Sequence, residues 1–327
     1  MSDMRVIEFG DGGAPDVLHI ATRSVPSPAA GEILIKVTAA GVNGPDLKQR
    51  KGNYPPPPGA LDLIGLEVSG HVAAIGAGVT GWEEGAAVIA LTNGGGYAEY
   101  VPVPAGQCLT PPPGVDLVDA AGICETFFTV WSNVWYGHDV PDDQTFLVHG
   151  GGGGIGSTAV QLAHAQGHRV FATAGAPASI ALAQEMGAER VINYREEDFA
   201  AIVTKAGGAD IIVDFMGGDY TARNLKCTRM DTRIIQLAFD LGHKVEISLI
   251  PFLTKRVSLT GAALRPRPPE FKAGVAADLK ARVWPLFDAG KLRTVTHKTF
   301  PMAEAAAAHA VLEGGGIPGK LLLTMGD

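Results

Sequence analysis

Five consecutive glycines, Gly150 to Gly154, follow the apolar run Phe146-Leu147-Val148-His149 and lead through Ile155-Gly156 into an Ala-containing stretch that starts near Ser157. A chain that leaves a buried strand and enters a helix within so few residues needs positions without a Cβ, which fixes this segment as a strand–turn–helix. The spacing GxGxxG falls on Gly151, Gly153 and Gly156. In such a turn the first glycine permits the reversal, the second lets a pyrophosphate approach the backbone, and the third brings helix against strand. The helix start, with Gly154, Ile155 and Gly156, offers free N–H groups and a positive dipole end to phosphate. Five glycines in a row satisfy many patterns by accident, so the surrounding pattern has to decide.

That pattern is βαβ. From about Thr145, apolar β-branched runs alternate with Ala-rich helical stretches, and strands are predicted at Thr145 to His149, Arg169 to Thr173, Arg190 to Asn193, Asp210 to Phe215, Arg233 to Ala238 and Val257 to Ala263. Six such strands make a complete doubly wound parallel sheet, with the glycine loop after the first. Before it, short runs such as Glu32 to Val37, Glu67 to Ile75 and Ala86 to Leu91 are broken by Gly and Pro and predict a compact, mostly β domain. After Arg267-Pro268-Pro269 come a helical stretch to Ala289, a strand at Val295 to Phe300, another helix and a closing strand at Lys320 to Thr324. The simplest topology returns this tail to the first domain. The expected division is 1–123 with 265–327, and 124–264.

The 327 residues suit two domains, and 46% apolar against 18% charged residues belongs to a packed globular chain. A formal charge of −8 without a basic run argues against nucleic acid or an anionic membrane as the main partner. Cys108, Cys124 and Cys227 lack CxxC spacing, so neither a disulfide framework nor a thiolate zinc cluster is expected. No export signal and no membrane span is read, and the expected location is the cytoplasm.

An NAD site usually places an acid near the end of the second strand to bind the ribose 2′-hydroxyl. Here the stretch reads Ala172-Thr173-Ala174-Gly175-Ala176-Pro177. Nothing in it repels a 2′-phosphate, which favours NADPH.

Several further segments carry a family likeness: Gly41 to Arg50, Gly52 to Gly59, Gly65 to Val72, Gly95 to Tyr100, Thr173 to Gly175, Val191 to Tyr194, Leu264 to Arg267 and Gly319-Lys320. In this order they resemble the zinc-free quinone oxidoreductases of the medium-chain dehydrogenase/reductase superfamily, in the zeta-crystallin-like branch and nearest its p53-inducible members. The resemblance implies a GroES-like catalytic domain from both chain ends, a Rossmann domain between, a cofactor in the cleft and a homodimer. It also implies NADPH-dependent reduction of a quinone or similar conjugated carbonyl compound. Zinc-dependent relatives have Cys where Asn43 stands and His where Leu66 stands, and neither replacement can ligate zinc as a thiolate or imidazole does. No metal site is expected. Reduction of enals, enones or enoyl thioesters, and a non-catalytic dinucleotide-binding role, remain alternatives.

By family position Tyr54 faces the nicotinamide, where its phenol can donate to a developing quinol oxygen, or it packs on Pro55 to Pro58. Asn43 and Asp46 bound the same cavity or bond their own loops. Thr129 lies against the nicotinamide end of the cofactor or is an interior threonine. Tyr194 and Lys320 match positions near the adenosine phosphate and the cofactor cleft, with ordinary surface structure as the other reading. Relatives carry a lysine near Ser179, so here backbone N–H groups around Gly175, the Ser179 hydroxyl and Tyr194 are left to hold the 2′-phosphate. His149 reads as structural, Arg265 and Arg267 as cofactor neighbours or a solvated loop, and Cys124 as unreactive.

Overall fold

Residues 2–326 are described by the computed structural model. Two compact units emerge, one from 1–128, 264–315 and 320–327 and the other from 129–263 and 316–319. The helix Cys124–Val134 runs from one into the other.

In the second unit, six parallel strands pair in the spatial order Arg190–Asn193, Arg169–Ala174, Thr145–Val148, Ala209–Asp214, Thr228–Gln236, Ser258–Thr260. This is the 3-2-1-4-5-6 order of a doubly wound Rossmann sheet. The central strands contribute Leu147, Phe171, Ile212 and Ile234 to one core with Ile192 of the edge strand, Phe199 and Val203. Parallel strands covered on both sides read as continuous apolar runs, which is why four of the six were visible almost to the residue, whereas the fifth begins at Thr228, five residues before the expected Arg233, in the polar run Thr228 to Thr232. The last is shorter than expected: only Ser258–Thr260 pairs, and Gly261 lies so close to the Gln236 carbonyl that a Cβ there would stand 2.0 Å from it.

In the first unit, the strand Glu32–Val42 sits in the middle of a seven-stranded sheet. It pairs antiparallel with Glu67–Ile75 on one side and with the closing strand Lys320–Thr324 on the other. The tail therefore does return, through Thr296–Pro301 and the helix Ala305–Gly314. This sheet is mostly antiparallel, and the strand Glu32–Val42 is buried along most of its length, with Lys36 exposed. Gly41 faces the Glu67 carboxylate, where a Cβ would lie 1.9 Å from Oε1, so the missing side chain makes room for a buried charge. Among the described residues no helix is long and apolar enough to cross a membrane.

Candidate active site

In the second unit the glycine loop is held from behind. Gly151 N–H donates to the Thr173 carbonyl at 2.8 Å and Gly153 N–H to Gly150 O at 2.9 Å. A Cβ on Gly151 would meet Ala172 Cβ at 2.6 Å, one on Gly152 would meet the Ser179 carbonyl at 2.3 Å, and one on Gly156 would meet Gly150 O at 2.1 Å. Gly153 differs, since nothing lies nearer than 3.5 Å. The packing glycines are thus Gly151, Gly152 and Gly156, whereas Gly153 leaves room for a Cβ. Gly152 was not singled out from the sequence, because the motif spacing passes over it.

Gly153 caps the helix Gly154–Ala165 with extended backbone, and its carbonyl takes the N–H of Ser157 at 2.8 Å. The N–H groups of Gly154, Ile155 and Gly156 are the first-turn donors that no carbonyl of their own helix can satisfy. Uncapped donors at a positive dipole end, with no side chain in front of Gly153, suit the pyrophosphate of a dinucleotide.

Around the second strand's end, Tyr194 is 40% exposed and lays its ring against Gly175, where a Cβ would come within 2.5 Å of Cζ. Ser179 departs from its expected role. It is only 8% exposed, and its hydroxyl donates to the Gly316 carbonyl at 3.3 Å. It packs behind the glycine loop, and the exposed residues at that helix start are Pro177 and Ala178. Thr129 is partly buried, its carbonyl accepting from Asn133 Nδ2 at 3.0 Å, and its hydroxyl has no partner among the described residues.

His149 is structural. Its Nε2–H donates to Asn224 Oδ1 at 2.8 Å, since Asn224 Nδ2 is itself spent on Asp214 Oδ2 at 2.9 Å. Its Nδ1 then accepts from the Thr173 hydroxyl at 3.1 Å, and burial lowers its pKa. Phe199 and Tyr220 pack edge-on against the ring.

The first unit buries an ionic cluster. Asp46 and Glu67 are both fully buried. Lys320 Nζ donates to Glu67 Oε1 at 2.7 Å and to Asn43 Oδ1, while Asn43 Nδ2 donates to the same Glu67 oxygen at 2.9 Å. Lys320, expected at the cofactor cleft, is thus bonded within this cluster. Asn43 precedes the helix Gly44–Arg50, and its N–H donates to Asp46 Oδ2 at 2.8 Å as in a capping box. Asp46 also accepts from Gly65 N–H at 3.2 Å and from Tyr97 OH at 3.4 Å. Behind it, His309 links the Tyr97 hydroxyl, at 3.1 Å, to Arg50 Nη1, at 3.1 Å, and Arg50 pairs with Glu313. Burial, chiefly, lifts the Asp46 carboxyl to about 7, and it depresses His309 to about 3.

Tyr54 is partly buried. Burial first, and the neighbouring Glu125 charge second, raise its pKa. Arg265 is not a solvated loop residue. Its guanidinium spans the Asn93 carbonyl, at 2.6 Å, and the Tyr54 carbonyl, at 3.3 Å, and lies 5.1 Å from the Tyr54 ring centroid. Lys272, buried and lowered to about 8 by desolvation first, ties Asn93 Oδ1 at 2.6 Å to the Arg265 carbonyl at 2.9 Å. Arg267 is exposed, with its guanidinium over Phe271. Cys124 is buried with its thiol pushed well up, chiefly by desolvation.

Sequence reasoning overlooked Glu125, Tyr97, His309, Arg50 and Lys272 as site residues, and it used Glu67 only as a landmark. The available signal was a lone charge inside an apolar run, as in Cys124-Glu125-Thr126-Phe127-Phe128.

Two family models match the chain: an alcohol dehydrogenase GroES-like domain over residues 29–113 and a zinc-binding dehydrogenase over residues 154–280. The latter stretch contains a single cysteine, Cys227, and among the described residues no group of three or more His, Cys, Asp or Glu is placed to hold a metal. A quinone oxidoreductase of Sus scrofa is 30% identical over 99% of this chain and 98% of its own length. The Escherichia coli quinone oxidoreductase, solved in complex with NADPH, superposes with a TM-score of 0.84 at 26% identity over 98% of this chain and 99% of that one. The CurK enoyl reductase shares the fold, with a TM-score of 0.86 at 24% identity over 99% of both chains.

Proposed function

Since the chain belongs to the quinone oxidoreductase family of the medium-chain dehydrogenases/reductases, we propose that it reduces quinones with NADPH and needs no zinc. The observation that carries this reading is the pairing of uncapped helix donors behind Gly153 with a second strand that ends, at Ala172 to Ala176, without an acid. Gly154, Ile155 and Gly156 would hold the pyrophosphate, and Tyr194 with the N–H groups around Gly175 would border the adenosine phosphate. When bound, NADPH supplies a hydride. Tyr54 donates a hydrogen bond to the oxygen on which negative charge develops, acting chiefly in the transition state.

The zinc-free reading rests on charge. The Lys320 ammonium already bridges Asn43 and Glu67, so a divalent cation at Asn43 would meet a positive charge where its relatives supply a thiolate. Metal analysis of the purified protein should find far less than one zinc per chain, with activity kept in a strong chelator. One zinc per chain, with activity lost on its removal, would sink this part.

The central test is a screen of NADPH oxidation against quinones, enals and enones, with NADH alongside. Turnover of quinones supports the reading. Turnover of enals or enones alone would replace it with a conjugated-carbonyl reductase, and no turnover of any acceptor would leave a dinucleotide-binding protein.

The assembly we propose is a homodimer formed along the edge strand Ser258–Thr260. That edge has a partner strand on one side only, and Leu259, Leu249, Ile250 and Leu253 near it are exposed.

A further inference from the structure

We infer that Glu125 carries the proton that is delivered to the reduced substrate, its charge state set by Glu67, Lys320 and Asp46. This rests on the reductase reading above and adds to it the source of the proton, for which Tyr54 is unsuited.

Three carboxyl groups share one neighbourhood, with the Lys320 ammonium as the cation bonded to it. Glu67 takes that ammonium at 2.7 Å, along with Asn43 Nδ2 on the same oxygen, and its second oxygen accepts the Glu125 backbone N–H at 2.8 Å. Asp46 is closed in by the N–H groups of Asn43 and Gly65 and by the Tyr97 hydroxyl. Among the described residues the Glu125 carboxyl accepts no hydrogen bond and pairs with no cation. It is partly exposed, whereas Asp46 and Glu67 are sealed. A negative charge there would accept no hydrogen bond, would touch no cation and would face Glu67 and Asp46. The excess proton therefore settles on Glu125, the one carboxyl of the three from which it can also leave.

The charged surroundings agree. Burial first and Glu67 second push Glu125 up to about 8, Asp46 adds to the rise, and Lys320 and Arg265 oppose it. The groups facing it come from every neighbouring element: Glu67 from its strand, Lys320 from the closing strand, Asp46 from the helix Gly44–Arg50, and Arg265 and Tyr54 from loops. The Cys124 thiol beside it stays neutral, and Lys272 is tied to Asn93 and the Arg265 carbonyl. The Tyr54 phenol, itself raised, donates hydrogen bonds but holds its proton.

In the step, the Glu125 O–H bond breaks and an O–H bond forms on the substrate oxygen, while two electrons arrive as the hydride from NADPH. Water then returns a proton to the Glu125 carboxylate. Each substrate consumes one hydride and one proton.

The experiment joins a titration to kinetics. In 13C-carboxyl NMR of the cofactor-free protein, one glutamate signal should titrate near pH 8 and be missing from Glu125→Gln. In turnover, the wild-type rate should fall above about pH 8. Glu125→Gln should lose that limb and about 100-fold or more in kcat, the size of a lost general acid, with NADPH affinity within twofold. Glu125→Asp should keep the limb and part of the rate. A carboxyl that ionises in the ordinary glutamate range overturns the inference while the reductase reading stands. So does Glu125→Gln turning over as fast as wild type while deuterated NADPH shows hydride transfer to be limiting. Titration near 8 in a protein that reduces no acceptor overturns the functional reading, and the delivery step with it.

Discussion

Lys320 shows how a single side chain can be singled out along the chain while its bonded partners stay hidden. Its position beside Gly319 was legible, but whether its ammonium turned toward a cofactor or a carboxylate depended on Glu67, 253 residues away in sequence. Tyr54, by contrast, stays open to chemistry, and Tyr54→Phe should lower quinone turnover several-fold with NADPH affinity unchanged. One neutral hydrogen bond made mainly in the transition state is worth about 1 to 2 kcal/mol. Unaltered turnover, with hydride transfer rate-limiting, would leave Tyr54 as packing. Glu125 also makes a claim on stability. Its folded pKa stands above the ordinary glutamate value, so the folded state holds the proton more tightly, and stability should be lost as pH rises from about 4.5 to about 8. Melting curves across that range should slope less in Glu125→Gln than in wild type; parallel slopes would mean that Glu125 is not held neutral. Glu125 was not foreseen as a proton carrier, because a lone Glu in an apolar run declares burial and says nothing of its partners.

At the scale of elements the sequence was far more informative. Buried parallel strands are apolar throughout and strand–turn–helix junctions need glycine, so four strands and the loop could be placed by composition alone. What periodicity could not convey is which glycine bears the packing. Gly152→Ala would drive a Cβ into the Ser179 carbonyl and should lower the melting temperature and weaken NADPH binding sharply. Gly153→Ala, at φ −82° with room for a Cβ, should melt near wild type. Equal behaviour of the two variants would contradict the loop packing. The same geometry decides where a charge could meet the 2′-phosphate. A lysine at the buried Ser179 would have to displace its bond to Gly316, whereas Ala178 is exposed on the first turn of the helix Pro177–Glu185. Ala178→Lys should tighten NADPH by a few-fold, in keeping with the modest worth of an exposed charge pair, and leave NADH nearly unchanged. Equal gains for both cofactors would place the 2′-phosphate elsewhere.

For the whole molecule, the exposed side chains beside the open sheet edge make the strongest claim. Leu253 is 84% exposed and Leu249 is 70% exposed, large apolar surfaces for a chain that is alone in water. Sedimentation at micromolar concentration should find a dimer, and Leu253→Asp with Ile250→Asp should shift it toward monomer while each chain keeps its fold. A wild-type monomer would remove the proposed assembly.

The return of the closing strand to the middle of the first sheet also orders events at the ribosome. Residues 129–263 form a contiguous stretch whose core can close while synthesis continues, whereas Glu32–Val42, covered by Tyr100–Pro104 over Glu32 to Lys36, must wait for Leu321 to Thr324 before the Ala39 to Val42 half of that edge is covered. Lys320 arrives with that last strand. Until then Glu67 and Asn43 have no ammonium to bond, and the buried cluster stays incomplete. The residue that completes the ionic cluster is thus made 253 residues after Glu67, so the first unit cannot finish folding before the stretch that forms the second has been synthesised.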